Sequence, residues 1–204
     1  MKNLFFAVAF FSGLVTTVAQ SNNPFNARGI DFLNSFKILT TDYRAGKIKS
    51  LDQPTLDYYS KTLPGKPMAT VAMAAAVVDG VKKSTPERVI EQSGLSAAAK
   101  DFLKKSLQYN SKIDNLVSQV NLSKLSASEK ELVLTSMAVT YHLRQSKDLD
   151  SPIDPNSPCT VDGQPATCAS VGAGLGMVIG GAICGLPCAV GGALIGGLVG
   201  SLKD

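Results

Sequence analysis

The sequence predicts an all-α protein, in which an N-terminal helical bundle precedes a C-terminal glycine-rich hydrophobic helical hairpin, with no substantial β-sheet. Three observations lead to this fold class. Apolar residues recur at helical spacing through the middle of the chain. No stretch alternates apolar and polar residues for the length that a half-buried strand needs. Residues 163–202 contain no charged side chain, and twelve of those forty positions are glycine.

Residues 1–19 have the pattern of a secretory signal peptide. Lys2 is their only charged residue, an apolar run extends from Leu4 to Val15, and small residues up to Ala19 offer a cleavage site. The alternative is an uncleaved membrane anchor, but the run is short and no stop-transfer pattern follows it. We therefore expect an exported protein, secreted or held at the cell envelope, whose mature chain begins near Gln20.

Residues 20–147 are expected to form the helical bundle. Phe32, Phe36 and Leu39 stand at helical spacing in its first helix, which Gly46 is placed to end. The predicted helices cover residues 26–45, 51–63 and 68–81, a short stretch between Thr85 and Gly94, one longer helix after Ser96, and a last helix up to residue 147. The longer helix is expected to present on one face Leu103, Leu107, Ile113, Val117 and Val120.

Two features locate the last helix and the centre of this bundle. Ser126 and Glu129 have the spacing of a capping box, in which each side chain satisfies a backbone N–H at a helix start. The alanine-rich stretch 68–81 is strongly apolar, but at about fourteen residues it is too short to span a bilayer. We therefore place that stretch in the core.

Residues 148–168 break the helical pattern and are expected to form a proline-rich linker. Its four prolines, with several Asp, Asn and Ser residues, cannot continue a helix. The turn at Asp162-Gly163 lies within a short loop between two cysteines. The linker separates the bundle from the hairpin, which we place at residues 169–204.

The four cysteines are Cys159, Cys168, Cys184 and Cys188. An even number of cysteines in an exported protein indicates disulfides. Zinc binding is the alternative, but the spacing does not match paired zinc ligands and the surroundings are apolar, so we expect no metal and no cofactor. Three pairings are open, and the pairing with the shortest loops joins Cys159 to Cys168 and Cys184 to Cys188.

The glycines of the hairpin are regularly spaced. Two sets of three fall four residues apart, namely Gly172, Gly176 and Gly180, and Gly192, Gly196 and Gly200. On a helix each set forms a bare stripe along one face, which is how helices pack closely in lipid. Gly185 and Pro187 stand where one helix would end and another begin, which predicts arms at residues 169–184 and 187–202. Each arm would be about 24 Å long, whereas a bilayer core is about 30 Å thick.

Composition argues against nucleic-acid binding and against catalysis. The net charge is only +4, the chain has no Trp, and its basic residues are spread out, whereas nucleic-acid binding favours a basic stripe with aromatic partners. His142 is the only histidine, and a lone helical histidine is far more often structural than catalytic. Asp148 and Asp150 follow it and could in principle orient its ring. The sequence nevertheless predicts that the protein is not an enzyme.

Three stretches of the chain resemble known bacterial sequences. They are Asn23-Pro24-Phe25 with Gly29-Ile30-Asp31-Phe32-Leu33, Leu125-Ser126-Ala127-Ser128-Glu129-Lys130-Glu131, and the glycine-rich hairpin itself. Their layout is similar to that of uncharacterised secreted bacterial proteins that join a helical leader-like domain to a glycine-rich, bacteriocin-like tail. The hairpin alone resembles the glycine-zipper two-helix segments of bacterial envelope proteins and the glycine-rich peptides of the bacteriocin class. The resemblance implies membrane activity and carries over no catalytic residue.

These patterns lead to one expected function and two alternatives. We expect a secreted membrane-active protein, pore-forming or bacteriocin-like, whose glycine-zipper tail inserts into or assembles in a lipid membrane. A homo-oligomer through the glycine faces is one form that such assembly would take. The alternatives are a non-enzymatic envelope protein anchored by the hairpin, and a soluble secreted helical protein with the hairpin as its core.

Overall fold

The structure, a computed structural model, describes residues 22–108, 110–146 and 159–201. The predicted signal peptide and most of the predicted linker lie outside these residues. Within them the chain is all-α, as predicted, with nine helices and one two-stranded sheet. The elements are α1 (Asn26–Arg44), α2 (Gln53–Thr62), α3 (Val71–Lys83), α4 (Pro86–Gln92), α5 (Ala97–Leu107), α6 (Ile113–Leu122), α7 (Ala127–Gln145), β1 (Thr160–Val161), β2 (Gln164–Pro165), α8 (Cys168–Cys184) and α9 (Leu186–Ser201).

Six of these helices begin at a residue whose side chain caps the first turn. A side-chain oxygen accepts a hydrogen bond from the backbone N–H three residues on, which satisfies one of the free donors of a helix start. The capping residues are Asp52, Thr70, Thr85, Ser96, Ser126 and Thr167. Ser126 and Glu129 form the complete capping box that their spacing predicts.

The single long helix predicted after Ser96 is wrong, because the chain forms two helices there, α5 and α6. Arg144 of α7 lies at the break. Its guanidinium donates hydrogen bonds to the carbonyl oxygens of Ser106 at 2.9 Å and Gln108 at 2.6 Å, so it satisfies acceptors at the end of α5. Both helices still bury the predicted apolar face, including Leu103.

A short loop precedes the hairpin. Strands β1 and β2 pair in antiparallel register across Asp162 and Gly163, whose φ angles of 48° and 73° suit a two-residue Asp-Gly turn. A disulfide between Cys159 and Cys168 closes the loop onto the start of α8. The carboxylate of Glu87 in α4 accepts a hydrogen bond from the Asp162 backbone N–H at 2.6 Å. The loop is thereby attached to both α8 and α4.

The two arms of the hairpin, α8 and α9, lie at the centre of the fold, and we call helices α1–α7 the sheath. Helices α1, α3 and α7 pack against the arms. Every residue is buried in the ranges 168–178 and 191–200. Both hydrophobic core clusters combine residues of the sheath with residues of the hairpin. Among the described residues, the predicted division into bundle and tail therefore does not appear as two separate cores.

Candidate functional site, the glycine-rich hairpin

The two glycine stripes of the hairpin face each other inside one chain. A methyl group built on Gly172 would overlap the carbonyl oxygen of Gly196, and one built on Gly196 would overlap that of Gly172. Gly176 and Gly192 stand in the same reciprocal relationship one turn further along. The arms can approach this closely because neither carries a Cβ atom at these positions.

The contact extends to both ends of the hairpin. Next to the corner, Gly180 lies against the carbonyl group of Cys188, and at the base Gly200 lies against that of Cys168. The arms therefore touch backbone to backbone over their length, a geometry that brings Cα–H groups close to carbonyl oxygens. All six glycines singled out from the sequence lie in this interface, so the two stripes cover each other while the hairpin is closed.

Further glycines of the hairpin face the sheath, and the sequence reasoning did not single them out. Gly174 lies against Leu107 of α5, where an added Cβ would be 2.7 Å from Cδ2. Gly197 lies against Phe36 of α1, where an added Cβ would be 3.0 Å from Cε2. The sequence does contain a sign of this second role, the adjacent glycines at 196 and 197. Because neighbouring positions on a helix point in different directions, these two cannot both belong to the stripe between the arms. Glycine thus fits the hairpin into the sheath as well as joining its arms.

The corner between the arms is the exposed part of the hairpin. Gly185 has a φ of 76°, and its N–H donates to the Gly181 carbonyl oxygen at 2.9 Å at the end of α8. A disulfide between Cys184 and Cys188 spans the corner, with Cα atoms 5.6 Å apart. The side chain of Ile183 is 51% exposed. The corner therefore places an apolar, covalently closed tip at the surface.

The disulfide pairing is the one with the shortest loops. Cys159 is bonded to Cys168 and Cys184 to Cys188. The Cα atoms of the first pair are 5.2 Å apart, within the usual range of about 4.4–6.8 Å. Two disulfides in a chain of this size indicate an oxidising, extracellular environment.

His142 belongs to α7, faces α1 and is only 8% exposed. Its Nε2 atom is 2.8 Å from Oδ1 of Asn26, and an added Cβ at Gly29 would be 2.7 Å from the ring carbon Cδ2. Burial lowers the pKa of His142 below its ordinary value, because burial disfavours the charged ring. Asp148 and Asp150 lie outside the described residues. The ring nitrogen of His142 is thus in contact with the side-chain amide of Asn26.

No helix in the described part of the chain combines the length and the apolar character that crossing a membrane requires.

The fold and this site define a class of architecture, an all-α protein with a glycine-packed helical hairpin at its centre. Comparison of the chain with protein-family models, with curated proteins and with solved structures found no match. The resemblance to bacteriocin-like proteins therefore stays a prediction.

Proposed function

We propose that this is an exported, non-enzymatic, membrane-active protein, in which the sheath keeps the hairpin in solution and the hairpin acts in a lipid membrane. The observation that carries the proposal is a run of forty residues, 163–202, without a charge. Most of that run folds into two arms joined backbone to backbone. Because the contacts between the arms are internal to the hairpin, the hairpin can move as one unit. The two disulfides support export, since they form outside the cytoplasm.

The contacts between the hairpin and the sheath differ from the backbone contacts between the two arms. Many are made by apolar side chains, as where Phe36 and Leu107 meet the arms and where Ile179 meets α3. Lipid acyl chains are as apolar as these side chains and can take their place. A helix satisfies its own backbone hydrogen bonds, which the membrane interior demands. Transfer into lipid would therefore exchange the sheath for acyl chains and leave the contact between the arms intact.

The length of the arms limits how deep the hairpin would reach. Helix α8 has 17 residues and α9 has 16, which at 1.5 Å per residue makes each about 25 Å long, against about 30 Å for a bilayer core. We therefore propose entry with the tip first. Ile183 would lead, and the loop closed by Cys159 and Cys168 would stay at the membrane surface.

The test is dye release from lipid vesicles by the chain that begins at Gln20, compared with the Ile183→Asp variant. Because Ile183 is half exposed, the substitution should leave the folded state in solution intact. Tip-first entry takes residue 183 through the bilayer centre, where a carboxylate costs roughly 2.5–3.5 kcal/mol on insertion scales. We expect release by the wild type and most of it lost in Ile183→Asp.

Leu122→Asp is the matched control, since Leu122 is an aliphatic residue that is 88% exposed on α6, outside the hairpin. It should release dye as the wild type does. Equal release by wild type and Ile183→Asp would contradict tip-first entry. Flotation of the protein with vesicles, without any release of dye, would instead support a resident envelope protein anchored by the hairpin.

A second candidate function has its own supporting observation. The arms are buried in the sheath, with Ala173 and Met177 both at 0% exposure, which favours a soluble secreted helical protein whose core is the hairpin. Neither dye release nor flotation would be expected of such a protein. That pair of negative results would reject the membrane-active proposal in favour of this candidate.

A further inference from the structure

A groove lies where the end of α9 meets the sheath, and we call it the α9 groove. It has a volume of about 460 Å³ and is bounded by the connection between α1 and α2, by α3 and by α9. Its floor is formed by the buried side chains of Ile48, Leu198 and Val199, with half-buried Val78 beside them. The volume lies in the range of about 300–1,000 Å³ that is usual for small-molecule sites.

The charged side chains that line the α9 groove are both basic. Lys49 stands on the connection between α1 and α2, Lys82 stands on α3, and both are exposed. Neither ammonium group has an ion-pair partner among the described residues, whereas the adjacent Lys83 pairs with Asp79 at 3.0 Å. None of the described side chains lining the groove is acidic. The groove thus combines an apolar floor with two positive charges at its rim that no carboxylate in the lining compensates.

We propose that the α9 groove binds a single-chain anionic amphiphile, a fatty acid. The alkyl chain lies on Ile48, Leu198 and Val199, and the carboxylate takes charge-assisted hydrogen bonds from Lys49 and Lys82. This binding goes beyond the proposed membrane activity, because it does not require the hairpin to leave the sheath. Since the groove is lined both by α9, through Leu198 and Val199, and by residues outside the hairpin, the bound chain holds the two together and raises the melting temperature.

The test is isothermal titration calorimetry of the folded chain with dodecanoate below its micelle concentration, beside the Lys82→Glu and Lys83→Glu variants. These variants differ by one position on the same exposed end of α3, and only Lys82 lines the groove. We expect Lys82→Glu to weaken binding by about tenfold or more, because an attractive contact becomes a repulsive one. Lys83→Glu should bind dodecanoate as the wild type does.

Two further measurements separate a site for an anionic chain from general affinity for detergents. Dodecyltrimethylammonium has an alkyl chain of the same length and the opposite charge, and it should bind far more weakly than dodecanoate. Val78→Trp places a large side chain on the floor of the groove and should abolish binding of dodecanoate. If this variant fails to fold, the comparison of the two lysine variants tests the proposal without it. The proposal is overturned if dodecanoate does not bind, if both lysine variants bind it equally, or if the cationic amphiphile binds as well. No vesicle is used, so the outcome is independent of the dye-release test.

Discussion

Gly176 of α8 and Gly192 of α9 lie so close together that a methyl group on either would overlap the carbonyl oxygen of the other. In a water-soluble helix each such glycine costs roughly 0.5–1 kcal/mol relative to alanine. The backbone contact, with apolar residues closed around it, has to offset that cost. The glycine stripes are therefore the surfaces through which α8 and α9 pack inside the folded protein.

The first prediction concerns this contact. Gly176→Ala should destabilise the fold by about 1–3 kcal/mol, the usual cost of overpacking, because the added methyl group meets backbone that cannot rotate away. Gly94→Ala is the control, since nothing lies within 4 Å of an added Cβ there. Urea unfolding measures both variants. Equal midpoints for Gly176→Ala and wild type would mean that the arms are not packed backbone to backbone.

The second prediction follows from Glu129, which joins two helix starts. Its carboxylate accepts hydrogen bonds from the backbone N–H groups of Ser96 at 2.7 Å and Ser126 at 3.2 Å. These bonds, that from Ser96 first, lower the pKa of Glu129 from 4.5 to about 2. A pKa lowered by folding means that the stabilisation is complete above about pH 4.5 and is lost as the pH falls towards 2.

The stability difference between wild type and Glu129→Gln should accordingly be largest near pH 7 and shrink towards pH 2. Urea unfolding at several pH values measures it. Asp101→Asn is the control, because Asp101 forms an exposed pair with Lys105 at 2.8 Å, and such pairs contribute only about 0–1 kcal/mol. A difference for Glu129→Gln that does not change with pH would refute this role for the carboxylate.

The third prediction concerns His142. Burial lowers its pKa below the ordinary 6.5, so the unfolded chain takes up a proton at a pH where the folded chain does not. Stability should therefore fall as the pH drops below about 6.5. His142→Gln removes the titrating group, and the melting temperature of this variant should change less than that of the wild type between pH 7.5 and 5. A ring that titrates by NMR at or above pH 6.5 in the folded protein would contradict the prediction.

The fourth prediction concerns the order in which the disulfides are reduced. Cys184 is exposed at the corner, whereas in the other bond Cys159 is half-buried and Cys168 is only 1% exposed. Thiol–disulfide exchange requires access to a sulfur atom. A mild thiol reductant acting on the folded protein should open the bond between Cys184 and Cys188 first. Alkylation followed by peptide mass analysis shows the order, and the preference should diminish in urea. Simultaneous reduction of both bonds in the folded protein would mean that the bond between Cys159 and Cys168 is as accessible as the bond at the corner.

Local features of the sequence predicted local features of the fold well. The capping box at Ser126 and Glu129 and the Asp162-Gly163 turn are confirmed, because each depends on residues only a few positions apart. The break between α5 and α6 could not be predicted in that way. It coincides with the guanidinium of Arg144, which lies 36 residues from Gln108 in sequence, and no pattern of period 3.6 contains that contact.

The sequence by itself determined the helical class, the two arms of the hairpin, the stripes along which glycine recurs, and the absence of charge across residues 163–202. All of these follow from composition and from spacing within one helix. Only the tertiary structure decided what those surfaces meet. It set the stripes against each other, placed Gly174 and Gly197 against sheath side chains, and put the hairpin at the centre of the fold. An apolar surface leaves water with a similar gain in free energy wherever it is buried, so its partner depends on the shapes of distant parts of the chain.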